Sequence, residues 1–179
     1  IQEVPHSFLP ALEGLGYQMA RVMDVERLFP YQPIKTYNVI LSKYPIVNQK
    51  EIPLPDYQDV LPLRTRIAVW FLRIAHFSAI RNRHAMYVDV QAPRGTVRVF
   101  NLHLILGTPA WRLEEFETAM TNRDPALPTI VCGDFNILES WRITLANWLL
   151  GGRVRDAASR TRERIHIEKH FFEHELTNP

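Results

Sequence analysis

Three short stretches carry polar groups where a plain core strand would have none. Gln2-Glu3-Val4 places a carboxylate at the end of an apparent strand. Asn101-Leu102-His103-Leu104 closes a hydrophobic run with two polar residues two apart, and side chains two apart on a strand share a face. Gly133-Asp134-Phe135-Asn136 follows the apolar run Ile130-Val131-Cys132 directly, so Asp134 and Asn136 leave its C-terminal end together. Strand ends in layered α/β sheets are where sites are usually built.

Two carboxylates, an amide and an imidazole suit the cleavage of a phosphoester. Hard oxygen ligands favour Mg²⁺ or Mn²⁺, and Mg²⁺ keeps several waters and needs only one or two protein carboxylates. Such an ion polarises a phosphoryl oxygen and stabilises the leaving oxygen. Asn136 is placed to hold the nucleophilic water or a phosphate oxygen. His103 is placed to neutralise a developing oxyanion or to donate a proton to the leaving group. Each residue also has a plainer reading. Asn101 could fix the loop after its strand through bonds to backbone, Asp134 and Asn136 could form a turn, and Cys132 is expected as a small buried hydrophobe beside the site.

The elements that must position these groups follow from patterning. Phe8, Leu9, Leu12 and Leu15 predict a short amphipathic helix closed near Gly14 and Gly16. Strands are expected over 17–23 and 37–43, the second ended by Pro45, with 49–54 as its pairing partner. Residues 86–90 and 96–104 flank the turn signal Pro93-Arg94-Gly95 and predict a hairpin. Thr108-Pro109 reads as an N-cap followed by proline in the first helical position, opening a helix to about Asn122 with Trp111, Leu113, Phe116 and Met120 on its inward face. A short buried strand is expected over 129–132, a helix from Ser140 to Leu150 closed by Gly151-Gly152, and a polar, partly helical tail over 159–175. Strands alternating with helices around one hairpin argue for a mixed α/β layered protein.

The 179 residues, 46% of them apolar, allow one sizeable core, and a single domain over 1–179 is expected. The formal net charge of +2 does not announce a nucleic-acid binder. One cysteine excludes an internal disulfide framework and says little about compartment. Both ends read as cut, so a signal peptide is neither shown nor excluded and localisation is left unassigned.

Taken in order, Gln-Glu-Val, the run Asn-Val-Ile-Leu-Ser-Lys-Tyr-Pro-Ile, Asn-Leu-His-Leu and Gly-Asp-Phe-Asn make residues 2 to about 156 similar to the endonuclease/exonuclease/phosphatase (deoxyribonuclease I-like) superfamily. The resemblance implies a four-layer α-β-β-α sandwich with two mixed sheets face to face, incomplete because the family's first strand and its closing Ser-Asp-His segment would lie outside the chain. It implies a Mg²⁺- or Mn²⁺-dependent phosphoester hydrolase of phosphodiesterase or nuclease type, inactive or weak in this length. Glu3 matches the family's metal-binding glutamate, His103 its catalytic histidine, and Asp134 and Asn136 its pair at the scissile phosphate. Asn38 sits in a strand often written Gly-Asn-Ala-Ile-Leu-Ser, with Tyr37 in place of the glycine. Arg83 falls near a phosphate-contacting arginine of some members. Asn38, Arg83 and Asn101 are therefore carried as phosphate- or substrate-binding candidates.

The substrate partner is left as nucleic acid or a phospholipid head group, sphingomyelin included, and no obligate protein partner is inferred. The stretch 61–80 joins Trp70, Phe71 and Phe77 to Arg64, Arg66 and Arg73, with no acidic residue between Asp59 and Asp89. Burial against the sheet is its plain reading, and contact with a lipid surface or a nucleic-acid backbone its sharper one. His166, His170 and His174 recur at helical spacing, which suits either a solvated helix or, as a rival, zinc. A non-catalytic module on the same scaffold is the remaining alternative.

Overall fold

The computed structural model describes residues 1–28, 33–57, 63–64, 66–67, 70, 83–105, 108–137, 148 and 160–177. Two sheets lie face to face. The first contains β1 (Val4–Pro5), β2 (Gln18–Leu28) and β3 (Pro33–Ser42) in the order β1-β3-β2, all antiparallel. The second contains β4 (Ile46–Pro53), β5 (His84–Ala92), β6 (Gly95–His103) and β7 (Thr129–Asp134) in sequence order, with β6 and β7 parallel. The anticipated hairpin is β5–β6, turning through Pro93-Arg94 between the paired residues Ala92 and Gly95. Parallel neighbours cannot be joined by a hairpin. The β6–β7 connection accordingly carries a helix, α2 (Pro109–Met120), opened as expected by Thr108, whose hydroxyl accepts from the Trp111 N–H at 3.2 Å.

Residues 49–54 do not pair with 37–43. β3 already has β1 on one edge and β2 on the other, so β4 has no free edge there and pairs with β5 in the second sheet.

Burial divides into layers. Ala20, Val22, Met86, Val88 and Val90, with Ile40, Ile46 and Val99, fill the space between the sheets. Val4, Leu9, Leu12 and Val39 pack α1 (Leu9–Glu13) onto the outer face of the first sheet. Ile52, Leu54, Tyr87, Phe100, Leu102 and Leu104 pack against Phe116, Ala119 and Met120 of α2 on the outer face of the second. The chain is thus an α-β-β-α sandwich. On α2, Phe116 and Met120 face inward as expected, but Trp111 and Leu113 are only half-buried. Two charged residues, Arg112 and Glu115, take the inner face with 0% exposure each. They are accommodated because backbone groups of the segment after β6 meet them there.

The tail forms α3 (Arg160–Glu173), which is docked rather than solvated. Ile167 is buried, and Phe171 packs on Phe116 at 5.2 Å and on Phe135 at 5.6 Å between ring centroids. The helix expected over 140–150 lies outside the described residues except for Trp148, which is helical.

Phe116 joins α2 to the β7 loop and to α3, so it should dominate this layer. Phe116→Ala should lower unfolding free energy by about 3–5 kcal/mol, measured by urea denaturation. A loss below about 1 kcal/mol would show that the three elements do not share a core.

Candidate active site

The polar groups gather where the apolar layer between the sheets runs out. On the first sheet Val22 stands opposite Asn38, and the register slips between Met23 and Val25, leaving Asp24 as the extra residue of a β-bulge. Asp24 keeps the inward face of Ala20 and Val22, four and two positions before it. Here the bulged Asp24 is fully buried, and its Oδ2 lies 2.6 Å from Nδ1 of His103 on the facing sheet. His103 keeps 13% of its side chain exposed. With the carboxylate on Nδ1, that nitrogen carries the proton and donates it to Asp24, which leaves Nε2 as the ring's reactive nitrogen.

Asn101 and His103 share a face of β6 as their spacing required. Asn101, however, is committed to structure. Its Nδ2 donates to the carbonyls of Ile1 at 3.3 Å and Val39 at 3.4 Å, and its Oδ1 accepts from Gln2 Nε2 at 3.0 Å. Its bonds to backbone tie the N-terminal segment and β3 to β6, not the loop after its own strand.

Gln2 supplies the link between the N-terminal segment and both β6 and β7. Its Nε2 also donates to the Leu102 carbonyl at 2.7 Å, while its Oε1 accepts the Asp134 N–H at 2.9 Å. Gly133 is required at this crossing. A Cβ there would meet the Leu102 carbonyl oxygen at 1.9 Å and Gln2 Nε2 at 2.6 Å, and its φ is +136°. Asp134 stands beside His103 in the parallel register and is exposed. Its Oδ1 accepts the Asn136 N–H at 2.8 Å, and Asn136 Nδ2 donates to the Leu104 carbonyl at 2.6 Å. The turn reading describes these contacts: the turn at Asp134-Phe135-Asn136 fixes the aspartate at the register position beside His103.

Residues 1–4 run against 37–39. Ile1 and Val39 exchange backbone bonds at 2.9 Å each way, and Val4 opposes Tyr37. Gln2 and Glu3 together therefore oppose Asn38, and Glu3 has φ +53°, outside strand geometry. The carboxylate of Glu3 is exposed at this edge. Asn38 is fully buried, and both atoms of its amide lack a hydrogen-bond partner, as does Asp24 Oδ1. Buried polar atoms without partners are rare and call for an explanation such as an ion or ligand. No group of three or more His, Cys, Asp or Glu side chains that could hold a metal occurs among the described residues. The donors that do gather here are oxygens and few, a set that fits Mg²⁺ or Mn²⁺ rather than a metal needing a cage of nitrogen or sulfur ligands.

Arg83 is turned away from any substrate. It is 6% exposed, and its Nη1 donates to Glu115 Oε1 at 2.9 Å and Oε2 at 3.1 Å while Nη2 donates to the His103 carbonyl. Burial beside Glu115 explains why it does not stand at a phosphate. Cys132, expected to be buried, is exposed. It lies on β7 beyond the cover of the facing sheet, whose described strands end at the two-residue β1. The expected buried strand over 129–132 is correspondingly half open, with Ile130 also exposed. Two of the three tail histidines meet a carboxylate on α2. His170 Nδ1 lies 2.7 Å and His174 Nε2 2.9 Å from the Glu117 carboxylate on α2.

Asp24 is the residue of this cluster that patterning alone did not find. It falls one position past the strand expected over 17–23, on the face of Ala20 and Val22, which fill the space between the sheets.

The buried acid–imidazole pair lies between the sheets of a four-layer sandwich, with His103 and Asp134 at the ends of β6 and β7, and the fold is of the phosphoester-hydrolase type. The sequence profile of the Endonuclease/Exonuclease/phosphatase family matches residues 1–157, and the chain belongs to that family. No curated protein matches it by sequence. Among solved structures it is similar to a functionally unknown conserved protein from Enterococcus faecalis V583, at 19% identity and a TM-score of 0.49 over 76% of this chain and 51% of that one. It is also similar to the human Nocturnin catalytic domain with bound sulfate, at 19% identity and a TM-score of 0.44 over 73% and 47%. The chain spans about half the length of each.

Gly133→Ala should cost about 2–4 kcal/mol from steric overlap and backbone strain together. It should also release Gln2, seen as loss of protection of the Asp134 amide in hydrogen exchange. A Gly133→Ala protein of unchanged melting temperature and unchanged exchange would contradict the crossing described.

Proposed function

We propose that the protein is a divalent-metal-dependent phosphoester hydrolase with His103 as its acid–base residue, and the contact between His103 and buried Asp24 carries that reading. A carboxylate shut away from water costs several kcal/mol unless it is paired, and pairing it to an imidazole at a site mouth is how general acid–base catalysts are oriented. A scaffold without chemistry gains nothing from that cost.

Asp24 holds the ring with Nδ1 protonated and stabilises the imidazolium that forms when Nε2 takes up a proton. Nε2 is then the atom that accepts a proton or returns one to a phosphoester oxygen. Asp134 lies beside it, with Oδ1 fixed by the Asn136 N–H, and orients water or a phosphate oxygen. The free acceptor of Asn136 is Oδ1, since its Nδ2 is committed to Leu104. Glu3, with the amide oxygen of Asn38 opposite it, would hold Mg²⁺ or Mn²⁺. When bound, that ion supplies charge neutralisation at the phosphoryl group.

One observation bears on the substrate. Within 61–80 the described residues Leu63, Arg64, Arg66, Ile67 and Trp70 are helical, and Leu63, Ile67 and Trp70 are 72%, 48% and 58% exposed. Positions 63, 67 and 70 fall on one helical face. An exposed apolar face beside arginines supports the lipid-surface reading over burial, and with it a phospholipid head group over nucleic acid.

The test is phosphodiesterase assay of the chain, with any natural flanking sequence in place, on DNA and on sphingomyelin-containing vesicles, with Mg²⁺ and with chelator. Turnover should vanish with chelator. It should fall about 10²-fold or more in His103→Ala and Asp24→Asn, and should favour the vesicles. Chelator-resistant turnover, or full activity in Asp24→Asn, would sink this assignment.

A further inference from the structure

The short segment after β6 is unusual in how its backbone is satisfied. The His103 carbonyl accepts from Arg83 Nη2. The Leu104 N–H donates to the Asp134 carbonyl at 2.9 Å, and the Leu104 carbonyl accepts from Asn136 Nδ2 at 2.6 Å. The Ile105 N–H donates to Glu115 Oε2 at 2.7 Å, and the Ile105 carbonyl accepts from Arg112 Nη1 at 3.4 Å. Arg83 and Glu115 are joined to each other through Nη1 and both carboxylate oxygens. One buried ion pair therefore grips the chain at the His103 carbonyl and again at the Ile105 N–H, both on the C-terminal side of the carbon from which the His103 ring leaves.

We propose that Arg83 and Glu115 are a positioning pair for the acid–base residue, setting His103 against Asp24 through the backbone that leaves its C-terminal side. This deepens the hydrolase reading and rests on it for its kinetic consequence only. The physical case is one of economy of structure. A guanidinium and a carboxylate at 6% and 0% exposure are costly to bury. The same packing could be reached with apolar side chains on α2, and what an apolar pair could not do is bind a carbonyl at 103 and an N–H at 105. Strand pairing alone does not hold this segment, since β6 ends at His103.

The charge state of Glu115 gives the pair a signature that a merely structural role lacks. Burial pushes its carboxyl up to about 7 from 4.5, partly offset by Arg83, the Ile105 N–H and His103. Among the described residues the charged or titratable groups around it are Arg83 ahead of β5, His103 on β6, Glu114 and Arg112 on α2, and Tyr57, with Asp24 reached through His103. A carboxyl raised in the folded state contributes stability that is present below pH 4.5 and lost as pH rises through about 7. The ion pair that grips the segment forms in the opposite direction, above about 7. Stability from this group and His103 alignment should therefore move oppositely with pH, whereas a purely structural pair would move them together.

Glu115→Gln tests this on the full chain. The readouts are the His103 Nδ1 proton by NMR, thermal melting at pH 5.5 and pH 8, and kcat against KM on whichever phosphodiester turns over. The Nδ1 proton, slow to exchange in the parent above pH 7, should exchange rapidly in the variant. Melting at pH 5.5 should change little, and kcat at pH 8 should fall roughly tenfold or more with KM within about twofold. Arg83→Lys keeps the charge but not the fork, and serves with the same expected loss if Glu115→Gln does not fold. An unchanged Nδ1 proton and unchanged kcat, with only a lower melting temperature, would overturn the positioning role. If the parent hydrolyses neither DNA nor vesicles yet the Nδ1 proton is still lost in the variant, positioning stands and the hydrolase reading falls.

Discussion

Asp24 and His103 come from different sheets and touch across the interior at 2.6 Å, and much of the remaining architecture can be understood as what that contact demands. Stacked sheets stand about 10 Å apart, a gap otherwise filled here by valine, isoleucine, methionine and alanine. Two polar side chains can meet across it only if both are aimed inward at the same depth, and only if the carboxylate is paired once it is out of water. On one side β2 supplies the aim, with Asp24 on the face of Ala20 and Val22. The strict alternation of β6 supplies it on the other, with Asn101 and His103 on the same face. The apolar layer then acts as a floor that excludes water from the inner end of the pair while its outer end opens to solvent.

Holding that arrangement requires cross-links that sheet hydrogen bonding does not provide. Gln2 runs from the N-terminal segment to Asn101, Leu102 and Asp134 at once. It can do so only because Gly133 leaves room for it. The side chain of Asn136 ties its loop back to Leu104, and α2 turns Arg112 and Glu115 inward instead of outward. Each of these polar groups would be a liability in a core built for stability alone. Their common destination is the stretch of chain that ends in His103 and lies beside Asp134.

The second helix also anchors the tail. Glu117 lies one turn from the inner face of α2 and receives His170 and His174 from α3, while Phe116 receives Phe171 and the edge of His174. Phe135, the aromatic residue inside Gly133-Asp134-Phe135-Asn136, joins the same cluster. The conformation of the aspartate loop is thereby continuous with the packing of a helix nearly forty positions further along. A regular spacing of histidines that admits zinc in isolation instead clasps a carboxylate on a neighbouring helix.

Much of the frame was legible in the residues themselves. Alternation, turn residues and the Thr-Pro cap located β5, β6 and α2, because those signals are local and set by backbone sterics. The order of Glu3, His103, Asp134 and Asn136 along the chain was enough to indicate family membership, which the profile match then established. What sequence could not settle was every feature that depends on which edge or face is already taken. β4 joined the second sheet because β3 had no edge left. Cys132 lay exposed because the facing sheet stops short of it, and Arg83 went to Glu115 because α2 turns that carboxylate inward. Asp24 is the sharpest case, since an aspartate on the face of Ala20 and Val22 has no evident partner until the facing sheet brings His103 against it. Local sequence fixes period and punctuation; register, edge occupancy and the pairing of buried charges are properties of the assembled sandwich, and only there did the histidine acquire its aspartate.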